Sequence, residues 1–136
     1  MTPLQTQWFA QLKKHQAIAV IRATDWKVGL KMAETAIAGG MQLIEITWSS
    51  DKAAKLIAQL REQYPHCMIG TGTVLQTNDL KEAITSGAEF AFSPHSDREF
   101  IDIAHHADIP MVLGALTPTE IMQAWQLLWL LGRWSK

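Results

Sequence analysis

Short runs of β-branched and aliphatic residues alternate with longer amphipathic stretches along the chain. Leu4, Trp8, Phe9 and Leu12 recur at helical spacing and predict an amphipathic helix from Thr2 to His15. The continuous apolar run Ala17-Ile18-Ala19-Val20-Ile21 then reads as a short strand. Trp26 to Ala38 returns to helical spacing, with Asp25 placed to cap it and Gly39-Gly40 to stop it. Leu43 to Trp48 reads as the second strand, and Ser50 or Asp51 is positioned to cap a helix running through Ala54, Ile57 and Leu60 to Tyr64. Met68 to Thr71 is the third strand, followed by a helix opened by Thr77 or Asn78 and closed at Ser86-Gly87. Phe90-Ala91-Phe92-Ser93 is the fourth strand. Ser96-Asp97-Arg98-Glu99 fits a capping box ahead of Phe100, Ile101 and Ala104. Met111-Val112-Leu113 is the fifth strand, and Thr117-Pro118-Thr119-Glu120 caps a last helix with proline at its first position.

These strand–helix units recur roughly every 21 to 26 residues, with no linker or low-complexity segment between them. Unbroken alternation with fully apolar strands predicts an α/β fold, a parallel sheet covered by helices. Doubly wound sheets and barrels share that pattern, and periodicity does not separate them. The dinucleotide fingerprint G-x-G-x-x-G is absent, because Leu75 stands where the third glycine after Gly70 and Gly72 would fall.

Composition narrows the class. The chain has 136 residues, 48% of them apolar and 18% charged, which fits one globular domain with a sizeable core. A net charge of −1 gives no reason to expect nucleic acid or an anionic membrane as partner. A lone Cys67, at the start of a predicted strand, excludes an internal disulfide and reads as an inert buried thiol. Thr2 to His15 lacks the apolar core of a signal peptide and no stretch is built to span a membrane, so a cytoplasmic protein is expected. No Asp, Glu and His grouping has metal-ligand spacing: His105 and His106 are adjacent and diverge on a helix, and His95 reads as a turn residue.

The candidate chemistry lies at strand ends. Arg22, Thr47, Ser49, Thr73, Pro94 and Gly114 fall at or just beyond the carboxyl ends of strands, the face that carries chemistry in a barrel. Glu45 interrupts the apolar run Leu43-Ile44-Glu45-Ile46-Thr47, and a buried carboxylate is costly unless it is paired or used. Leu43, Glu45 and Thr47 share one strand face. If that face is interior, Glu45 is partly desolvated, its pKa rises, and it becomes fit to exchange protons near neutrality. The other reading makes Glu45 a structural partner of Arg22 on the neighbouring strand. The residues alone leave both open.

Ala19-Val20-Ile21-Arg22, Ala38-Gly39-Gly40, Ile44-Glu45-Ile46-Thr47, Gly70-Thr71-Gly72-Thr73-Val74-Leu75, Phe92-Ser93-Pro94 and Gly114 with Thr117-Pro118-Thr119-Glu120 occur in one fixed order. Order and spacing together resemble the pyruvate-forming class I aldolases that cleave 2-keto-3-deoxy-6-phosphogluconate and 4-hydroxy-2-oxoglutarate. The resemblance implies the (β/α)8 barrel of that family, here its first five βα units behind an N-terminal helix. It treats residues 1–136 as a single incomplete barrel domain, family-like to about residue 125 and atypical over 127–136. It also implies retro-aldol cleavage through a lysine Schiff base, no metal or organic cofactor, a small 2-oxo acid as substrate and assembly as a homotrimer. Glu45 would be the general acid/base, with Arg22, Thr47, Ser49, Gly72, Thr73 and Pro94 around the substrate.

Two positions depart from the family pattern. Ser49-Ser50 stands where many members carry Arg-Thr, an arginine that grips the substrate carboxylate, and the change shifts the expected substrate preference. The family's Val-Lys-x-Phe-Pro strand, which holds the Schiff-base lysine, is replaced by Leu127-Leu128-Trp129-Leu130-Leu131-Gly132-Arg133-Trp134-Ser135-Lys136. The lysine would fall near Arg133, whose guanidinium stays protonated and is no amine nucleophile. The Leu- and Trp-rich tail is read as the mark of a frameshifted or truncated frame, with an ordinary helix extension from Ala124 to Leu131 as the alternative. Beside the aldolase stand two other expectations: an inactive remnant of such an enzyme, and a barrel enzyme that uses Glu45 without an imine.

Overall fold

A computed structural model describes residues 2–130, with side chains to residue 126. Helices α1 (Pro3–His15), α2 (Trp26–Ala38), α3 (Ala53–Gln63), α4 (Thr77–Thr85), α5 (Arg98–His106) and α6 (Pro118–Leu130) alternate with strands β1 (Ala19–Ile21), β2 (Leu43–Thr47), β3 (Met68–Gly72), β4 (Ala91–Ser93) and β5 (Met111–Leu113). All strand pairs are parallel and their spatial order, β1-β2-β3-β4-β5, is their order in the chain. That order settles what periodicity could not. A doubly wound sheet reverses direction at a switch point, whereas strands added one after another along one direction are the winding of a barrel.

The two sheet faces bury different layers. Ile21, Ile44, Ile46 and Ile69 pack against Ala33, Ile37, Leu56, Ile57 and Leu60 of α2 and α3, the larger apolar cluster. On the opposite face, Leu43 and Met68 meet Phe90 and Trp8, so α1 closes the amino-terminal end of the sheet. Trp8 is 3% exposed, and its ring lies 4.3 Å from that of Phe90. Thr2 caps α1 and exchanges hydrogen bonds with Gln5, which fixes the start of that helix. One row up, Val20, Glu45 and Gly70 are in register; the next row holds Thr47 beside Gly72. The extra side chain of Phe90 occupies the space over Gly70, where a Cβ would collide with its ring.

Helix α2 begins at Asp25 and ends at Gly39-Gly40 as expected, with Gly40 at φ 97°. Thr117 and Glu120 form the anticipated cap at α6, and Cys67 is buried with its thiol pKa raised by burial. Two expected caps are corrected. Neither Ser50 nor Asp51 caps α3: that position is Lys52, left-handed at φ 51° and without a side-chain bond. Both expected side chains are engaged elsewhere, Ser50 at the end of β1 and Asp51 with the Trp26 N–H. The α5 cap is Asp97, one residue beyond Ser96, because its carboxylate accepts from the Glu99 N–H at 2.7 Å. Helix α4 opens at Thr77, as expected, behind Gln76 and with no capping side chain. Helix α6 carries the backbone regularly to Leu130, consistent with the helix-extension reading; Arg133, Trp134 and Lys136 lie outside the described residues. Among the described residues, no helix is long and apolar enough to cross a membrane.

Candidate functional site

Glu45 sits in the middle of β2, 9% exposed, on the same face as Leu43 and Thr47. Its side chain leans toward the strand ends and fills the space above Gly72, where a Cβ would overlap Oε1 and the carboxyl carbon. Burial pushes its carboxyl above the usual carboxylate value, and the positive field of Arg22 offsets part of the rise. Among the described residues no hydrogen bond or ion pair ties this carboxylate down. Arg22 acts on this carboxyl through its field, without an ion pair between them. Arg22 instead donates from Nη2 to Thr73 Oγ1 at 3.3 Å.

Thr73 follows β3 at φ 55°, a left-handed backbone that costs a β-branched residue about 1–3 kcal/mol. The conformation is held from two sides: by Arg22 on the hydroxyl, and by the next residue, whose N–H reaches the Phe92 carbonyl. A threonine kept in such a conformation turns its hydroxyl toward the neighbouring strand ends instead of continuing the sheet. The glycine–threonine turn read from the sequence thus places its strain on the threonine, not on Gly72.

The end of β2 and the β2–α3 loop together supply three hydroxyls. The Trp48 N–H donates to the Gly72 carbonyl at 2.7 Å and extends the β2–β3 ladder past Thr47. Thr47 Oγ1 lies 3.4 Å from Ser49 Oγ and 3.1 Å from Ser50 Oγ. Ser49 is exposed, whereas Thr47 and Ser50 are buried. The site therefore combines a carboxyl poised to exchange protons, one guanidinium and a row of hydroxyls that suits a small anionic, oxygen-rich ligand.

Arg22, Glu45, Thr47, Ser49, Gly72 and Thr73 are brought together. Pro94, just past β4, is exposed, and its carbonyl faces Gly114, at which a Cβ would strike it. His95 is a turn residue, with Nδ1 at 3.2 Å from Ser93 Oγ. Among the described residues no group of His, Cys, Asp and Glu could hold a metal. Sequence reasoning missed Ser50, read only as a helix cap, and missed why positions 70 and 72 are glycine. The alternation of β2 was the available signal for Gly72, since a carboxylate inside a parallel sheet needs an empty neighbour.

Gly72→Ala tests this packing directly. The new Cβ meets the movable end of a side chain, so the fold is expected to survive with a small loss of stability. Displaced toward solvent, the Glu45 carboxyl should titrate closer to its ordinary value, as followed by carbon-13 NMR.

Comparison with known proteins gives the family. The family model for KDPG and KHG aldolases matches residues 9–129. The KHG/KDPG aldolase of Escherichia coli K12 is 30% identical over 105 residues, 77% of this chain and 49% of that protein. The 2-dehydro-3-deoxy-phosphogluconate aldolase of Pseudomonas aeruginosa is 34% identical over 97 residues, 71% of this chain and 44% of that protein. The crystal structure of the Legionella pneumophila KDPG aldolase, with pyruvate captured as a covalent carbinolamine, superposes with a TM-score of 0.74 at 30% identity. That superposition covers 81% of this chain and 53% of the Legionella chain. The chain thus spans about half the length of the curated relatives it matches. Matched by the family model over most of its length and wound like its relatives, this chain belongs to the KDPG and KHG aldolase family.

Proposed function

We propose that this protein acts in retro-aldol cleavage of a 4-hydroxy-2-oxo acid, 2-keto-3-deoxy-6-phosphogluconate or 4-hydroxy-2-oxoglutarate, to pyruvate and an aldehyde. The observation that carries the reading is the untethered, buried Glu45 carboxyl beside Arg22 and the strand-end hydroxyls. In this chemistry an amine condenses with the 2-oxo group and loses water to give an imine. A base takes the proton of the 4-hydroxyl, the C3–C4 bond breaks, and its electrons pass into the imine as an enamine. Protonation at C3 and hydrolysis then release pyruvate. Glu45 is the group that moves these protons. Arg22, Thr47, Ser49 and Thr73 surround the substrate carboxylate, with Gly72 leaving room for the acid; Pro94 has only the family resemblance behind it.

A second reading has its own observation. Each described lysine lies on a helix or its cap: Lys13 and Lys14 on α1, Lys27 and Lys31 on α2, Lys55 on α3, Lys81 on α4, and Lys52 at the α3 cap. Lys52 and Lys55 direct Nζ at the Trp26 ring, 5.8 and 3.6 Å from its centroid. This arrangement would suit an inactive remnant that keeps the acid but, among the described residues, brings no amine beside it. Borohydride reduction in the presence of pyruvate, read by mass spectrometry of the whole protein and its peptides, separates the two. The proposal expects one reduced pyruvate adduct on one lysine. No adduct, together with no pyruvate released from either substrate, selects the remnant.

A further inference from the structure

Ser50 occupies an unusual crossing point for a residue that caps nothing. Its Oγ accepts the Ala23 N–H at 3.3 Å, lies 3.5 Å from the Ile21 carbonyl oxygen and 3.1 Å from Thr47 Oγ1. Those two backbone groups flank Arg22. The adjacent Asp51 completes the hold: its N–H donates to the Ala23 carbonyl at 2.9 Å, and its Oδ2 accepts from the Trp26 N–H at 3.1 Å. Ser50 itself is 7% exposed, so its hydrogen bonds are shielded from competing water. Arg22, by contrast, is exposed, and a long exposed side chain is fixed only where its backbone and its tip are both anchored. The tip is anchored at Thr73. The backbone is anchored at Ser50.

We propose that Ser50 is a positioning residue of the site: one buried hydroxyl holds the Ile21–Ala23 backbone that aims Arg22, and the hydroxyl of Thr47 beside Glu45. It acts through Arg22 and Thr47 and has no contact with substrate of its own. The part of the inference that concerns ligand rests on the 2-oxo acid reading above; the part that concerns Arg22 does not.

Ser50→Ala and Ser50→Thr separate these parts. In Ser50→Ala, deuterium exchange of the Ala23 amide should quicken about tenfold for the loss of one shielded hydrogen bond. The Arg22 Nε–H resonance should move toward that of a free side chain, and pyruvate binding measured by NMR titration should weaken about tenfold. Ser50→Thr should restore all three, which a loss of packing alone would not do. Should the alanine variant not fold, Ser50→Cys keeps the volume with a weak donor and should shift the same readouts in the same direction. Unchanged Ala23 exchange and Arg22 resonance overturn the proposal. Faster exchange with unchanged pyruvate affinity overturns the positioning role for ligand. No binding of pyruvate by the unmodified protein overturns the 2-oxo acid reading, and the Ala23 and Arg22 signals then decide Ser50 alone.

Discussion

Glu45→Gln is expected to remove retro-aldol activity by about 10²–10⁴-fold, the usual worth of a positioned proton-transfer group, while leaving the fold intact. The substitution keeps size and shape and deletes only the ability to ionise. Its effect on stability has a sign. Burial raises the Glu45 pKa in the folded chain above its unfolded value. The neutral carboxyl therefore costs the folded state nothing below the ordinary carboxylate pKa, and stability is lost as pH rises through the folded pKa. Glutamine carries no such charge. Thermal melts of the two proteins should coincide in acid, and the variant should melt higher once pH passes the folded pKa. A variant that is inactive but melts lower at neutral pH would mean that the Glu45 carboxylate is a structural partner after all.

Trp8→Ala should have the largest effect on stability, a loss of about 3–5 kcal/mol as for other buried tryptophan truncations. The ring lies tilted against that of Phe90, meets Phe92 edge to face, and belongs to the cluster with Leu43 and Met68. None of these neighbours can collapse into the void, since Leu43 and Met68 are fixed in the adjacent strands β2 and β3 and Phe90 leads directly into β4. A loss of that size is a large share of the 5–15 kcal/mol typical of a domain. Urea unfolding measures it directly, and limited proteolysis should show earlier cleavage along α1. A loss below about 1 kcal/mol would mean that α1 is not docked as described.

The order of elements was legible because its signals are local. Helix α2 and strand β5 fall on the expected residues, since a capping aspartate, a glycine pair or a β-branched triplet acts within its own turn. The caps of α3 and α5 were misplaced for a physical reason. Ser50 and Asp51 are good caps by residue type, but the β1 end and the Trp26 N–H compete for the same oxygens, and those partners are remote in sequence. Winding direction was likewise invisible, because it depends on which strand lies beside which. Within the site, Glu45 announced itself as a charge in an apolar run. The glycine at 72 and the left-handed backbone at Thr73 did not, because the first is set by a side chain on β2 and the second by Arg22 on β1.

Because spatial strand order follows chain order, each unit can dock on the one made just before it. Every residue assembled around Glu45 lies on β1, β2, β3 or the turns that directly follow them. During synthesis all of these residues have left the ribosome with the β3–α4 turn, and the Phe92 carbonyl that holds the residue after Thr73 follows with β4. The carboxyl and the guanidinium can therefore meet early, and a nascent chain would carry both on a sheet still growing at one edge.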